Sequence, residues 1–382
     1  MDPVFIGLAL AATASFWVAT MAFLGFTPIS GRQRRLEAGL RAMALARRGQ
    51  LLRRRRLGMP ILEVPCALGP FRLEYGSAGS SEDVEPTTLL TVELPRLLPA
   101  VSVGAQVVFS DLVGGVRGHE VELDDPVFNR SFRVSGRDEA GIQVLLEPKA
   151  RQHVRELWER GALESSGLEG LVLEPLEHAG MTVLRARMAR LVGTVQDLDA
   201  CLEGMVTLAG VMLEAWDEPW VQARERFGLV PGTPAQAGLR GLKGEVNGFG
   251  LGVWEIGNDR NRYHEVIVDL ALPFEIEVVH REVAQKEGWL PTAQPMGNPV
   301  LDMLVAVRCE QPSVVRELLA DEDLTAALLE VVHGRKGSIL TDRHLTLREP
   351  GDPAIGPAEA IEDALALARA VRVGVARLQG PA

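Results

Sequence analysis

DDPVFNRSFRV, residues 124–134, has a counterpart in GNPVLDMLVAV, residues 297–307. Pro126 falls on Pro299, Val127 on Val300 and Val134 on Val307, all at an offset of 173. The same offset carries Leu145 and Leu146 onto Leu318 and Leu319, and Gly161 onto Gly334. Upstream, LLTVELP (89–95) matches VIVDLALP (266–273) in type. Order and pattern kept over this length mark one unit written twice.

Outward from these segments the two copies read alike. Each opens with strands broken by glycine, ILEVPCALGPFRLEYG (61–76) and LKGEVNGFGLGVWEIG (242–257). Alternating strands follow, TTLLTVEL (87–94) and YHEVIVDLAL (263–272), then SVGAQVVFS (102–110) and FEIEVVHRE (274–282). The DPVF and NPVL segments (125–128 and 298–301) read as further strands. A helix comes next in each copy. The first starts at Pro148, with Ala150, Val154, Leu157 and Trp158 on one face and a stop at Gly161. The second has Asp321 as N-cap, Leu324, Leu328 and Val331 on its face, and a stop at Gly334. Hairpins at 168–188 and 337–351 and two closing helices complete the units. The closing helices align Leu198, Leu202, Met205, Leu208 and Met212, and Ile361, Leu365, Ala368, Val371 and Val375.

Antiparallel sheets with helices on one face bury this pattern most simply. The expected fold is therefore α+β. An N-terminal transmembrane helix precedes two tandem repeats of an antiparallel sheet with helices on one face. The expected divisions are an anchor at 1–30, an Arg-rich juxtamembrane segment at 31–58, a first repeat at 59–217, a linker at 218–234 and a second repeat at 235–382.

The anchor is read from Val4–Phe26, a run without charge that spans about 34 Å as a helix. Its flank, residues 31–56, holds ten arginines and one acid, Glu37. By the positive-inside rule this orients the N-terminus outward and the body toward the cytoplasm of an inner membrane, as a single pass. Arg32, Arg34, Arg35, Arg47, Arg48, Arg53, Arg54, Arg55 and Arg56 are the expected contacts with anionic lipid. Gly7, Ala11 and Ser15 permit self-association of the span.

Residues 1–56 carry a net +8, counting Asp2 with Glu37, and the whole chain −11, so the body carries −19. Such a body lacks the basic face that nucleic-acid binding requires. Basic residues are nearly all arginine, a bias that weakens any inference from Arg in place of Lys. Cys66, Cys201 and Cys309 are single and far apart, which suits a reducing compartment and offers no zinc spacing.

Motifs of chemistry are weak. GFGLG (248–252) has Val253 where a dinucleotide fingerprint needs its third glycine, and it leads into a strand. GRKGS (334–338) lacks P-loop spacing. His119-Glu120 and His264-Glu265 do not continue as HExxH, while His333 and His344 flank a hairpin as neighbours across it. Glu122, Asp124 and Asp125 read as a turn, and Asp321, Glu322 and Asp323 as a helix start. No catalytic residue, cofactor or metal is expected.

Asp125, Phe128, Phe132 and Val134, behind an N-terminal hydrophobic segment, resemble an uncharacterised class of bacterial membrane-anchored proteins with a duplicated α+β unit. In the second copy Leu301 and Val305 replace the aromatics. The resemblance implies architecture and carries no activity. The expected function is a membrane-tethered, non-enzymatic interaction or scaffold protein with a protein partner. The alternative is a module binding lipid or another small apolar ligand at the cytoplasmic membrane face.

Overall fold

The computed structural model describes residues 31–52, 60–78, 85–105, 118–162, 168–188, 194–234, 236–257, 262–350 and 356–379. In chain order its first part comprises α1 (Gly31–Ala46), β1 (Gln50–Leu52), β2 (Ile61–Pro65), β3 (Pro70–Ala78), β4 (Glu85–Leu94), β5 (Val101–Ala105) and β6 (His119–Glu120). Then come α2 (Pro126–Ser131), β7 (Phe132–Gly136), α3 (Glu139–Leu145), α4 (Pro148–Ala162), β8 (Leu168–Leu176), β9 (Met181–Met188) and α5 (Val195–Phe227). The second part begins with β10 (Val230–Pro231), β11 (Gly241–Val246), β12 (Phe249–Gly257), β13 (Arg262–Asp269), β14 (Ile276–His280) and α6 (Arg281–Lys286). It ends with α7 (Pro299–Leu304), β15 (Val305–Cys309), α8 (Pro312–Leu318), α9 (Glu322–Leu328), β16 (Ile339–Thr341), β17 (His344–Pro350) and α10 (Ala358–Gln379).

Among the described residues the strands form two sheets, and the resolved pairings are antiparallel. The first runs β1-β2-β3-β4-β9-β8-β5-β7-β6 and the second β10-β11-β12-β13-β17-β16-β14-β15. The orders correspond position by position, and β6 is the additional strand at one edge.

The expected fold class is corrected at its N-terminal end. No helix among the described residues is long and apolar enough to cross a membrane. The expected span, Val4–Phe26, lies outside the described residues. What stands is α+β with two antiparallel sheets, and the transmembrane, single-pass part of the expectation drops out. The helices α5 and α10 have 33 and 22 residues, enough to span a bilayer, but each carries a charged face. Asp199 and Glu203 on α5, and Glu362 and Asp363 on α10, show that these helices are amphipathic.

A second correction concerns DPVF and NPVL. Both are helices, α2 and α7, with proline in the first turn and a cap before it. Asp125 Oδ1 accepts from the amides of Val127 and Phe128 at 3.0 and 2.9 Å. Asn298 Oδ1 accepts from those of Val300 and Leu301 at 3.0 and 3.2 Å. The same role is filled at the same offset. The strands start only at Phe132 and Val305. The helices α3 and α8, seven residues each, were not expected, because two turns are too short to show a period. The expected linker at 218–234 begins inside α5. Trp216, Trp220 and Ala223 extend its buried stripe past Pro219, and burial of two indoles outweighs the roughly 3 kcal/mol that an interior proline costs.

The described residues fall into two compact units. One comprises those up to Glu93 with Arg155–Leu171 and Arg185–Thr207, and the other Leu94–Val154, Val172–Leu184 and the residues from Leu208 onward. In the first unit Leu62, Leu73 and Leu90 form one cross-strand row, and Val64, Phe71 and Val92 the next. Helix α1 belongs to this unit. Its Leu36, Leu40 and Met43 are buried, so the arginine-rich segment is in part a packed helix. In the second unit a single buried row, Leu251–Val268–Leu345–Leu340–Val278–Val307, crosses six strands. Helix α10 covers β13 and β17 and joins the same core through Ile361, Leu365, Ala368 and Val371. Each of these larger side chains contributes about 1.5–3 kcal/mol by leaving water.

Candidate functional site

Strand alternation places charge inside the second unit. On β12, Phe249, Leu251 and Val253 point inward, and Glu255 continues their phase. On β13, His264 shares the inward phase of Val266 and Val268 and stands opposite Glu255 in the register. Glu255 is only 3% exposed, and a carboxylate there requires cations. Arg240 supplies Nε and Nη2 at 3.0 Å each, and Arg262 supplies Nη1 at 2.9 Å. The Nη1 group of Arg240 donates to the Trp216 carbonyl, and Nη2 of Arg262 to the Leu97 carbonyl at 2.8 Å. The Trp216 indole lies 5.0 Å from both guanidinium centres, and the Trp220 indole lies 4.9 Å from that of Arg240. Burial alone would raise the Glu255 carboxyl, but Arg240 and Arg262 outweigh it and hold the group below its ordinary value.

The backbone around this cluster is fixed by close approach. A side chain on Gly238, whose φ is +82°, would sit 1.9 Å from the Gly180 carbonyl oxygen. Glycine is therefore required for this contact. The Leu97 amide donates to the Gly238 carbonyl at 3.1 Å, and the Leu98 amide to Thr182 Oγ1 at 2.8 Å. The first bond ties down the segment that carries Arg240, and the second fixes Leu97 and Leu98 against β9.

A cleft of about 380 Å³ opens beside the cluster. Its lining includes Arg96, Asp217, Trp220, Arg224 and Arg240. Asp217 meets Arg96 at 3.3 Å and Arg240 at 3.6 Å. Arg224 touches Glu225, outside the lining, at 3.6 Å. The Nε1 donors of Trp216 and Trp220 and the Nε of Arg262 are buried and meet no acceptor among the described residues.

The structure pairs His333 with His280, whereas the sequence suggested His344. His280 Nε2 and His333 Nδ1 are 3.1 Å apart, in rings 10° from parallel. His280 also caps α6, because its Nδ1 accepts from the Glu282 amide at 3.1 Å. This bond assigns the His280 proton to Nε2, which donates to His333. His333 ends a π-helical turn, Leu329–His333, that follows α9. His344 instead faces Asp269 across the ladder.

The expected lipid-contact arginines separate. Arg34, Arg35 and Arg48 are exposed, and the side chain of Arg32 and the whole of Arg53–Arg56 lie outside the described residues. Arg47 is drawn into its own unit, with Nε at 2.6 Å from Asp199 and Nη2 at 2.7 Å from Glu203. The hydrogen bond to Asp199, then that to Glu203, raises its already high pKa. GFGLG runs from the turn at Gly248 into the strand β12, and GRKGS forms a turn. Among the described residues no group of three or more His, Cys, Asp or Glu side chains is placed to hold a metal ion.

Sequence reasoning missed Arg96, Asp217, Arg224, Arg240, Glu255 and Arg262. A signal for two of them was present. Glu255 and Arg262 sit on the apolar phase of their strands, where a charge demands a partner. Arg96, Asp217, Arg224 and Arg240 come from loops and a helix, and no spacing announces their convergence. In comparison with known proteins, no family matches the chain, and no curated protein matches it.

Proposed function

We propose that this chain is a non-enzymatic interaction protein that presents apolar knobs to a protein partner. One observation carries the reading. Helices α2 and α7 each hold a valine outward at the same offset, Val127 at 57% exposure and Val300 at 52%, and Met303 stands beside the second at 64%. Caps at Asp125 and Asn298, a proline in the first turn, and the fully buried Phe128 and Leu301 fix both helices. A knob held rigidly before binding loses little entropy on contact. The converging charges support the same reading, since Arg240, Glu255 and Arg262 are committed to one another.

The test compares proteins captured from cells by the full chain with those captured by Val127→Asp and by Val300→Asp/Met303→Asp variants. These surface changes leave stability within about 0.5 kcal/mol. Loss of the same partner from both variants, at an unchanged melting temperature, supports the reading. Identical capture by variants and native chain overturns it.

A further inference from the structure

We infer that the cleft beside Arg240 binds a small organic oxyanion, a carboxylate or phosphate group on a compact apolar body. This is independent of the interaction surface at α2 and α7. The chain as a whole is acidic, with 40 Lys and Arg against 51 Asp and Glu. The cleft inverts that balance: Arg96, Arg224 and Arg240 line it against a single acid, Asp217.

These arginines are held in two different ways. Arg240 is 6% exposed and shares the single carboxylate of Glu255 with Arg262, so two guanidinium groups against one acid leave a net positive charge at the back of the cleft. Arg96 donates Nη1 to the Pro95 carbonyl at 3.1 Å but reaches its carboxylate partner Asp217 only at 3.3 Å, through Nε and Nη2, and Arg224 reaches Glu225 only at 3.6 Å. A well-made guanidinium–carboxylate bond is about 2.7–2.9 Å. Arg224 therefore retains donor capacity for a better-placed acceptor, and Arg96 can exchange its long contacts with Asp217 for one.

The remaining lining suits the body of such a ligand. Trp220, Val221, Leu239 and Leu242 give it apolar surface. Trp220 also carries a buried indole N–H with no acceptor among the described residues. A volume of about 380 Å³ is within the range of small-molecule sites, about 300–1,000 Å³. A recess walled by low-dielectric side chains, with three cations in its lining against one anion, concentrates negative charge.

The test is calorimetric titration of the full chain with benzoate, phenyl phosphate and inorganic phosphate. One saturable site for benzoate or phenyl phosphate is expected, and the tighter of the two identifies the head group. Inorganic phosphate, lacking the apolar body, binds more weakly. Arg96→Ala and Arg224→Ala each weaken binding at least about tenfold, the loss expected for one charge-assisted hydrogen bond. Asp217→Asn removes the acid that competes for Arg96 and tightens binding, a gain that damage to the fold does not imitate. The inference is overturned if the native chain shows no saturable binding. It is equally overturned if both arginine variants bind as the native chain does, or if Asp217→Asn weakens binding.

Discussion

At the scale of the residue, the second unit turns on Glu255. Its carboxylate accepts from two guanidinium groups that lie between indole rings and backbone carbonyls. Removing one member of a buried pair leaves an uncompensated charge, at a cost of about 3–5 kcal/mol. Glu255→Gln is expected to lose that much in chemical denaturation, because Arg240 and Arg262 stay buried and charged. A Glu255→Leu/Arg240→Met/Arg262→Met variant is expected to regain most of it, since an apolar replacement of a whole buried ion cluster is often neutral. Equal stability of Glu255→Gln and native chain would show that water reaches the cluster. Arg72 offers the contrast. It sits between Glu63 and Glu93 on the first sheet with 40% of its side chain exposed, and surface pairs of this kind contribute about 0–1 kcal/mol.

At the scale of the element, α2 and α7 are built by their caps. Six residues give too few internal hydrogen bonds to nucleate a helix, so the cap acceptor and the proline decide the conformation. Asp125→Ala and Asn298→Ala are each expected to cost about 1 kcal/mol. The exchanges Asp125→Asn and Asn298→Asp are expected to cost much less, because both side chains accept from the same two amides. Thermal melting of the four variants checks this, and an exchange as costly as the alanine change would mean that the caps differ in role. The DPVF and NPVL segments read as strands because an apolar pair beside a true strand fits period two. Asx-Pro was the signal for a helix start, and in so short an element it is the main one.

At the scale of the whole molecule, two buried titratable groups set the response to acid. The folded pKa of His280 lies below its ordinary 6.5. Burial is the main cause, Glu282 opposes it, and His333 and Lys336 add to it. Arg281, Lys286 and Glu330 are the other charged groups on the flanking helix and turn. Because the fold disfavours the charged imidazole, the unfolded chain takes up the proton first. This contribution to stability is complete above pH 6.5 and is lost as pH falls from there toward the folded pKa. Glu255 acts lower on the scale. Its contribution is present above its ordinary 4.5 and is lost as pH falls through the folded value. The melting temperature is therefore expected to decline in two steps on acidification. His280→Asn keeps an N-cap acceptor that does not titrate and is expected to abolish the first step while sparing the second. Persistence of the first step in that variant would move its origin elsewhere.

The sequence by itself determined the apolar alternation, the closing-helix stripes and the 173-residue offset between the segments 126–145 and 299–318, each of which folds as helix, strand and helix. These are legible because they rest on period and order, which neighbours along the chain carry. It also placed Asp321 correctly as the cap of α9. Only the tertiary structure decided which charges meet. Leu97, Arg240, Glu255 and Arg262 come together through strand register and two facing glycine turns. His280 meets His333, not His344, because β14 packs against the π-helical turn. Long-range contacts of this kind depend on which elements pack together, and a period read along the chain does not contain that choice.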